Sequence, residues 1–354
     1  MSALPPGSVI GMLGGGQLGR LMALEAARLG YDVHTFCPEP RSPAARVSSA
    51  ETVADYTNDA ALKAFAGACD VVSYEFENVP AAAVAAIESV GVPVRPGVAA
   101  LENSQDRKVE KEFLNSIEVP TVAFESVHSP EDIQPAVEKL GGAGILKRRR
   151  MGYDGKGQAR VEAGDDMAAA WTALGSAPCI LEAMAPFKLE ISAIVARGLS
   201  GEIAAFEPSE NGHANGILRA SHVPASIRDE TRTRAIASAT RLADALDYVG
   251  VIALEFFVLD DETLIANEFA PRVHNSGHWT PEACATGQFE QHIRAVAGLP
   301  LGDPTRLFDA QMDNLLGDEA ETAFGGPGVT HYGKREAKGG RKMGHVTRRL
   351  GPAT

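Results

Sequence analysis

Cysteine is scarce in this chain. Cys37, Cys69, Cys179 and Cys284 are its four cysteines in 354 residues, far apart and without Cys-x-x-Cys spacing. They suit neither a zinc site nor a small disulfide-stapled scaffold, and a reducing cytoplasm is the expected location. Long apolar runs are missing too, so no membrane span is expected. Residues 1–8 lack a basic stretch followed by an apolar one, so no secretory leader is expected. Positive charge is in deficit: 33 Lys and Arg against 46 Asp and Glu give a formal net charge of -13. Such a field repels polyanions and argues against general affinity for nucleic acid or anionic lipid, so any phosphate site must be a local cluster of cations. No internal repeat or low-complexity tract is present. The length exceeds what one core commonly serves, and two or three domains are expected.

What the sequence does contain is concentrated in a few stretches. Residues 145–158 read Ile-Leu-Lys-Arg-Arg-Arg-Met-Gly-Tyr-Asp-Gly-Lys-Gly-Gln. A strand that ends in a lysine and opens into a glycine-rich turn brings bare backbone N–H groups and an ammonium to one polyphosphate. A basic solvated hairpin, or a nuclear-localisation or nucleic-acid patch, is the competing reading of such a run.

Near the start, apolar residues 9–13 lead into Gly14-Gly15-Gly16-Gln17-Leu18-Gly19-Arg20 and a helical pattern through Leu21, Leu24, Ala27 and Leu29. Gly14, Gly16 and Gly19 satisfy G-x-G-x-x-G, the dinucleotide fingerprint. The second strand, 32–37, however, ends in Cys37-Pro38 where a ribose-binding acid should stand, which weakens an NAD-dependent dehydrogenase reading. Arg20-Leu21 likewise replaces the Lys-Ser/Thr of a Walker A loop. A helix N-terminus behind glycines still suits an anionic group. Further strands at 52–54, 71–75 and 92–95 alternate with helices near 58–66 and 81–90, the pattern of a parallel α/β sheet. Glu75 and Glu77 close the strand 71–75, where such sheets bind ligands, although Glu77 or Asn78 could equally cap the next helix.

Pro96-Gly97 and the polar stretch 102–108 mark a boundary near 105. A charged helix over 106–115 follows, carrying Arg107 and Lys108. From about 120 to 185 the runs are short: strands at 122–124, 145–148, 158–161 and 179–184, with helices at 131–140 and 166–174. This small α+β unit is expected to act as a lid. Strands at 191–195 and 203–206 precede Asn-Gly turns expected at Asn211-Gly212 and Asn215-Gly216. One long helix covers 228–246, and strands 249–259 and 263–269 pair through Asp260-Asp261-Glu262. That hairpin is expected to place Glu255 and Glu268 on one side of the sheet, a pair of oxygen ligands of the kind that magnesium on ATP phosphates requires. A paired core glutamate is the alternative for either acid alone. The loop that follows, Pro271-Arg272-Val273-His274-Asn275-Ser276-Gly277-His278-Trp279-Thr280, offers donors for a planar anion, with both histidines expected to line the site. Residues 301–354 gather His331, Lys334, Arg335, Lys338, Arg341, Lys342, His345, Arg348 and Arg349, either as a surface tail or as a phosphate pocket.

Four stretches together carry a resemblance that runs in order from about residue 9 to 345: the run at 147–158, Asn-Glu-Phe-Ala-Pro-Arg-Val-His-Asn-Ser-Gly-His-Trp-Thr at 267–280, Gly-Gly-Gln-Leu-Gly-Arg at 15–20, and Tyr-Glu-Phe-Glu-Asn-Val-Pro at 74–80. They resemble the 5-(carboxyamino)imidazole ribonucleotide synthases, ATP-grasp enzymes of purine biosynthesis. The resemblance implies an ATP-grasp fold of mixed α/β and α+β class. Its parts would be an N-terminal Rossmann-like domain (1–105), an ATP-grasp domain (106–300) with its lid at about 120–185, and a small C-terminal domain (301–354). It implies carboxylation of the exocyclic amine of aminoimidazole ribonucleotide by bicarbonate through carboxyphosphate, with ATP and Mg2+.

Arg107 and Lys147 would then meet the ATP phosphates under the turn Gly152, Tyr153, Asp154, Gly155, Lys156, Gly157 and Gln158. Glu182, Ala183, Met184 and Ala185 would follow the adenine edge, Glu190 the ribose hydroxyls and His213 the nucleotide nearby. Glu255 and Glu268 would ligate magnesium beside Asn267. Tyr153, Asp154 and Lys156 would meet the imidazole, with Asp154 orienting the amine or taking its proton and Glu75 also on the substrate. Lys334 and Arg341 would take the ribose phosphate, and Arg272, His274 and Asn275 would surround bicarbonate and carboxyphosphate. A homodimer and product hand-over to a downstream mutase are implied as well. Family members usually continue for some tens of residues past Gly344-His345, so a short C-terminal unit or a truncated chain is expected. Competing readings are another ATP-grasp ligase, either a formate-dependent ribonucleotide transformylase or a biotin-carboxylase-like enzyme, and a non-catalytic nucleotide-binding regulator.

Overall fold

A computed structural model describes residues 3–152 and 157–352. The strands Val9–Leu13, Asp32–Phe36, Ala50–Thr52 and Val71–Tyr74 form a parallel sheet with Val9–Leu13 between the second and the fourth. The central strand Val9–Leu13 is apolar throughout and buried from Ile10 onward because both faces are covered. The helix Gln17–Arg28 packs Met22 and Ala26 on one side, and Leu62, Phe65, Val84 and Ile87 close the other. Two expectations shift here. The third strand ends at Thr52 rather than beginning there, and the expected strand 92–95 contributes a single bridge, Val94 to Val72. The polar stretch expected as a boundary is partly the helix Val98–Ser104.

Phe124–Val127, Cys179–Ala183, Ala143–Arg148 and Gln158–Glu162 make a separate antiparallel sheet in that spatial order. The helices Ile133–Lys139 and Met167–Ala173 cover one face through Val137 and Trp171.

A larger sheet, nine-stranded among the described residues, is built on Phe187–Arg197, Gly250–Leu259 and Leu264–Ala270. Along Gly250–Leu259, Val251 and Ala253 enter one core with Phe289 and Ile293 of the helix Gln288–Ala297. Ile252 and Leu254 enter another with Ala239 and Leu242 of the helix Asp229–Ala245. A strand buried on both faces has no polar alternation to show. Asn211-Gly212 is no turn: both residues lie inside the strand Ser209–Ala214, where the register slips between Gly212 and His213. The reversal comes at Asn215-Gly216, with φ 53° and 74°, the left-handed pair a tight hairpin needs. Phe308–Leu316, Lys342–Pro352 and Val329–His331 continue this same sheet from Ile217–Val223 outward.

A buried histidine joins the first sheet to the large one. His292 Nε2 lies 2.8 Å from Ser73 Oγ, and its Nδ1 accepts the Val251 N–H at 3.1 Å. Burial holds this imidazole down at about 4, so it stays neutral and can accept that N–H.

Candidate active site

A cleft of about 1060 Å³ opens where the three sheets face one another. One wall is cationic, and each of its charges is already countered. Lys147, at the end of Ala143–Arg148, donates to Glu182 Oε2 at 2.8 Å. Lys111, wholly buried, donates to the Asn267 carbonyl at 3.1 Å and lies 3.3 Å from Glu182 Oε1. Burial disfavours the Glu182 anion, but the two ammonium groups outweigh it and hold its pKa below the usual range. Arg107 Nη1 donates to Glu268 Oε2 at 2.6 Å. Asp106 caps the helix Arg107–Ser116 through the Lys108 N–H. It also takes Arg149 in a bidentate pair at 2.9 and 2.8 Å, tying the loop after Arg148 to that helix.

The acidic wall depends on an irregularity of register. Leu254 faces Phe269 and Phe256 faces Ala266, so Glu255 stands opposite both Asn267 and Glu268. Regular alternation would turn one of those two away, whereas the bulge lets Glu255, Asn267 and Glu268 all line the cleft. Burial works against the Glu268 anion, yet Arg107 and Lys147 outweigh it and hold the carboxyl at about 2. Glu110 behaves oppositely. Buried, and next to the Glu268 charge, it is pushed up to about 8 while its Oε1 accepts the Phe269 N–H at 2.7 Å.

Beyond the hairpin, Arg272 Nε reaches back to Glu77 Oε2 at 2.5 Å, and its Nη1 donates to the Val273 carbonyl. Burial raises the cost of the Glu77 charge, but Arg272 more than offsets it and keeps Glu77 ionised. His274 Nδ1 accepts the Ser276 N–H at 3.3 Å, which assigns the ring proton to Nε2, 2.8 Å from Glu255 Oε1. Asn275 lines the cleft, but both its N–H groups are engaged, on Asn314 Oδ1 at 3.0 Å and His278 Nδ1 at 3.2 Å.

The glycine loop holds an internal anion. Gly16 and Gly19 donate their N–H groups to Glu75 at 2.5 and 2.9 Å, so the start of the helix Gln17–Arg28 is occupied by the chain's own carboxylate. A Cβ at Gly14 or Gly16 would come within 2.3 or 2.6 Å of that side chain. Burial pushes the Glu75 carboxyl up, and the two N–H groups pull it back. The far end of the cleft is walled by Lys334, Lys338, Gly339, Gly340, Arg341 and Lys342, with Lys334 Nζ donating to the Lys342 carbonyl at 2.7 Å. Across from it, Phe187 stacks on Phe257 at 4.6 Å, and His213 Nδ1 lies 3.1 Å from Glu190.

Comparison with known proteins places this cleft. Residues 112–289 match the ATP-grasp domain, 8–105 the ribonucleotide synthetase preATP-grasp domain, and 310–350 the phosphoribosylaminoimidazole carboxylase C-terminal domain. The N5-carboxyaminoimidazole ribonucleotide synthase of Brucella melitensis biotype 1 is 52% identical over 354 residues, covering 98% of each chain. The chain belongs to the N5-carboxyaminoimidazole ribonucleotide synthases. It is thus an ATP-grasp ligase. Among solved structures, an ADP complex of such a synthetase superposes with a TM-score of 0.93 at 41% identity, covering 98% of this chain and 93% of that one. The synthase of Aspergillus clavatus, solved with ADP and 5-aminoimidazole ribonucleotide, gives 0.90 at 31%, covering 98% and 94%.

Of the residues a synthase of this family leads one to expect, the cleft gathers Glu75, Arg107, Lys147, Gly152, Gln158, Glu190, His213, Glu255, Asn267, Glu268, Arg272, His274, Asn275, Lys334 and Arg341. Glu182, Ala183, Met184, Ala185 and Gly157 stand outside its lining, Glu182 behind it as the partner of Lys147. Tyr153, Asp154, Gly155 and Lys156 lie outside the described residues. The expectation that His278 lines the site is corrected: its ring is fully buried behind Asn275, because the short 3-10 turn Asn275–Gly277 carries it inward. Glu110 and Lys111 were missed. Their only signal is spacing, three and four residues after Arg107 on one helix face.

Proposed function

We propose that this chain uses ATP and bicarbonate to carboxylate the exocyclic amine of 5-aminoimidazole ribonucleotide through carboxyphosphate, releasing ADP and phosphate. Family membership supports the ligase chemistry, and one observation carries the assignment of roles: Lys147, Arg107, Glu255, Glu268 and Arg272, from distant parts of the chain, converge on one cleft. The donor set also fits magnesium. Two carboxylates stand beside Asn267 Oδ1, which is buried and has no hydrogen-bond partner among the described residues, and hard oxygens are what this ion takes. Glu255 and Glu268 would hold it, and bound there it neutralises charge on the transferring phosphoryl group.

The chain's own residues do the positioning. Lys147 and Arg107 hold the phosphates of ATP so that a bicarbonate oxygen attacks the γ-phosphorus as ADP leaves. Arg272, with Nε on Glu77 and Nη1 on Val273, presents Nη2 to the carboxyphosphate. Carboxyphosphate breaks to phosphate and CO2. The amine then attacks CO2 and loses a proton, a role the family resemblance gives to Asp154. Lys334 and Arg341 hold the ribose phosphate, and His274, fixed by Ser276, lies against bicarbonate. Asn275 contributes an Oδ1 lone pair rather than a donor. Glu190 and His213 take the nucleotide ribose beside Phe187 and Phe257.

The three-part division at about 105 and 300, the lid at 120–185, a cytoplasmic homodimer and product transfer to a following mutase complete this reading on the same family resemblance. An ADP-release assay with each small substrate omitted in turn tests it. Release should need ATP, bicarbonate and aminoimidazole ribonucleotide together, and release driven by formate, or without the imidazole, would overturn it.

A further inference from the structure

Behind the cleft wall runs a chain of buried polar side chains that the proposed chemistry leaves unused. Asn314 Nδ2 donates to the Leu218 carbonyl at 2.9 Å, which fixes which end of that amide is nitrogen. Asn314 and Asn275 then exchange reciprocal bonds of 2.9 and 3.0 Å, which leaves an Asn275 N–H directed at His278 Nδ1, 3.2 Å away. Taking that N–H as the donor makes His278 Nδ1 the acceptor and puts its ring proton on Nε2, which is buried and has no hydrogen-bond partner among the described residues. Tyr332 Oη lies 2.8 Å from that same Nδ1, so the phenol donates to it. His345 Nδ1, 2.9 Å from the phenol oxygen, is left as the donor to Tyr332. The Leu218 carbonyl fixes the two amides, and the Asn275 contact then fixes the tautomers, with Tyr332 Oη the nearer of two donors sharing the His278 Nδ1 lone pair. Burial keeps both imidazoles neutral, lowering His278 well below its usual value and His345 to about 3.

Position gives the chain its meaning. At one end Asn275 lines the cleft directly after Arg272 and His274. At the other, Tyr332 immediately precedes the loop 333–342, and His345 follows it on the strand Lys342–Pro352. We infer that Asn314, His278, Tyr332 and His345 are positioning residues that lock the loop carrying Lys334 and Arg341 at a fixed distance from the turn carrying Arg272. They thereby set where the ribonucleotide's amine meets the carboxyl donor. The inference rests on the proposed function for the identity of that ribonucleotide. The brace itself stands on hydrogen-bond directions alone.

Tyr332→Phe keeps the buried ring and removes the hydroxyl joining the two imidazoles. The KM for aminoimidazole ribonucleotide should rise about tenfold, the worth of a buried hydrogen bond or two, with the KM for ATP within twofold of wild type. His278→Asn, which keeps an acceptor near the Nδ1 position, should recover most of the loss seen in His278→Leu. An unchanged ribonucleotide KM in Tyr332→Phe, or equal rises for ATP and ribonucleotide, would overturn the inference. Independently of any variant that fails to fold, 15N spectra of wild-type protein near neutral pH should show His278 protonated at Nε2 and His345 at Nδ1. Two identical tautomers would overturn the brace even if the enzyme turns over as proposed. If the wild type shows no ADP release with this ribonucleotide, the functional reading fails, and the tautomers still judge the brace.

Discussion

Glu110→Gln isolates one proton in the middle of the cleft. Glu110 is buried and Glu268 lines the cleft in the same field, and of the two it is Glu268 that Arg107 hydrogen-bonds, so Glu268 is the one that ionises and Glu110 the one that keeps its proton. Burial, and then the Glu268 charge, carry the Glu110 pKa from 4.5 to about 8. A carboxyl raised on folding contributes stability that is full below the unfolded value and is lost as pH rises toward the folded one. Across that interval the wild type should therefore lose about 1.4 kcal/mol per pH unit relative to a group that cannot ionise, a few kcal/mol in all. Glutamine is that group. It matches the protonated acid in shape and can still accept the Phe269 N–H now held at 2.7 Å. Urea unfolding of both proteins at pH 5, 6, 7, 8 and 9 should show the difference in free energy grow steadily from pH 5 to about 7.5 and level off above 8. Parallel curves over that range would refute the assignment of the proton. A gap that opened only below pH 5 would place the ionised member of the pair at Glu110 instead.

Further outcomes are expected of the same cleft. Arg272→Ala should leave ATP affinity nearly intact while lowering turnover roughly 10²-fold or more, since it removes a donor aimed at developing charge; isothermal titration with an ATP analogue beside steady-state kinetics checks the split. Glu268→Gln should weaken magnesium-dependent ATP binding, seen as a shifted magnesium titration of ADP release. It also frees Arg107, so binding of metal-free ATP should fall much less. Gly16→Ala should lower the melting temperature and the yield of folded protein, because its Cβ would stand 2.6 Å from Glu75 Oε1 inside the first sheet's glycine turn.

The legible parts of the fold are those decided by neighbours in sequence. The strand Val9–Leu13, the helix Asp229–Ala245 and the hairpin closed at Glu262, whose φ is 70°, follow from apolar runs, period and turn residues. The Asn-Gly pair at 211–212 read as a turn for the same local reason and is overridden. Asn211 is held in the sheet by bonds to Ser192 on one neighbouring strand, 19 residues away, and Ser221 on the other. The site divides the same way. The run from Arg272 to Asn275 announces its chemistry by composition, whereas Lys111 under Glu182 and Glu110 beside Glu268 exist only once helix and sheets have packed. A glycine fingerprint was legible too, but its meaning was not. Gly14 and Gly16 clear space for Glu75, and Gly19, 56 positions before it, gives that carboxylate an N–H.

That internal carboxylate is one case of a wider arrangement in the cleft. Lys147 faces Glu182, Arg107 faces Glu268, Arg272 faces Glu77, and the helix start at Gly16 faces Glu75. Each cation that the proposed chemistry assigns to the ATP phosphates or to carboxyphosphate thus already has an acid against it, which avoids the several kcal/mol that an uncompensated buried charge costs. Such pairs can be exchanged only as pairs. A triphosphate that took Arg107 alone would strand Glu268 beside new negative charge, whereas magnesium held by Glu268 as proposed would give that carboxylate a replacement partner and leave Arg107 to the phosphate. With Glu268 in its proposed role as a metal ligand, ATP and metal would bind as a unit, because the resting ion pairs disfavour either one alone. Binding of ATP should then steepen with added magnesium by more than the formation of the soluble complex explains, and Glu268→Gln should abolish that excess.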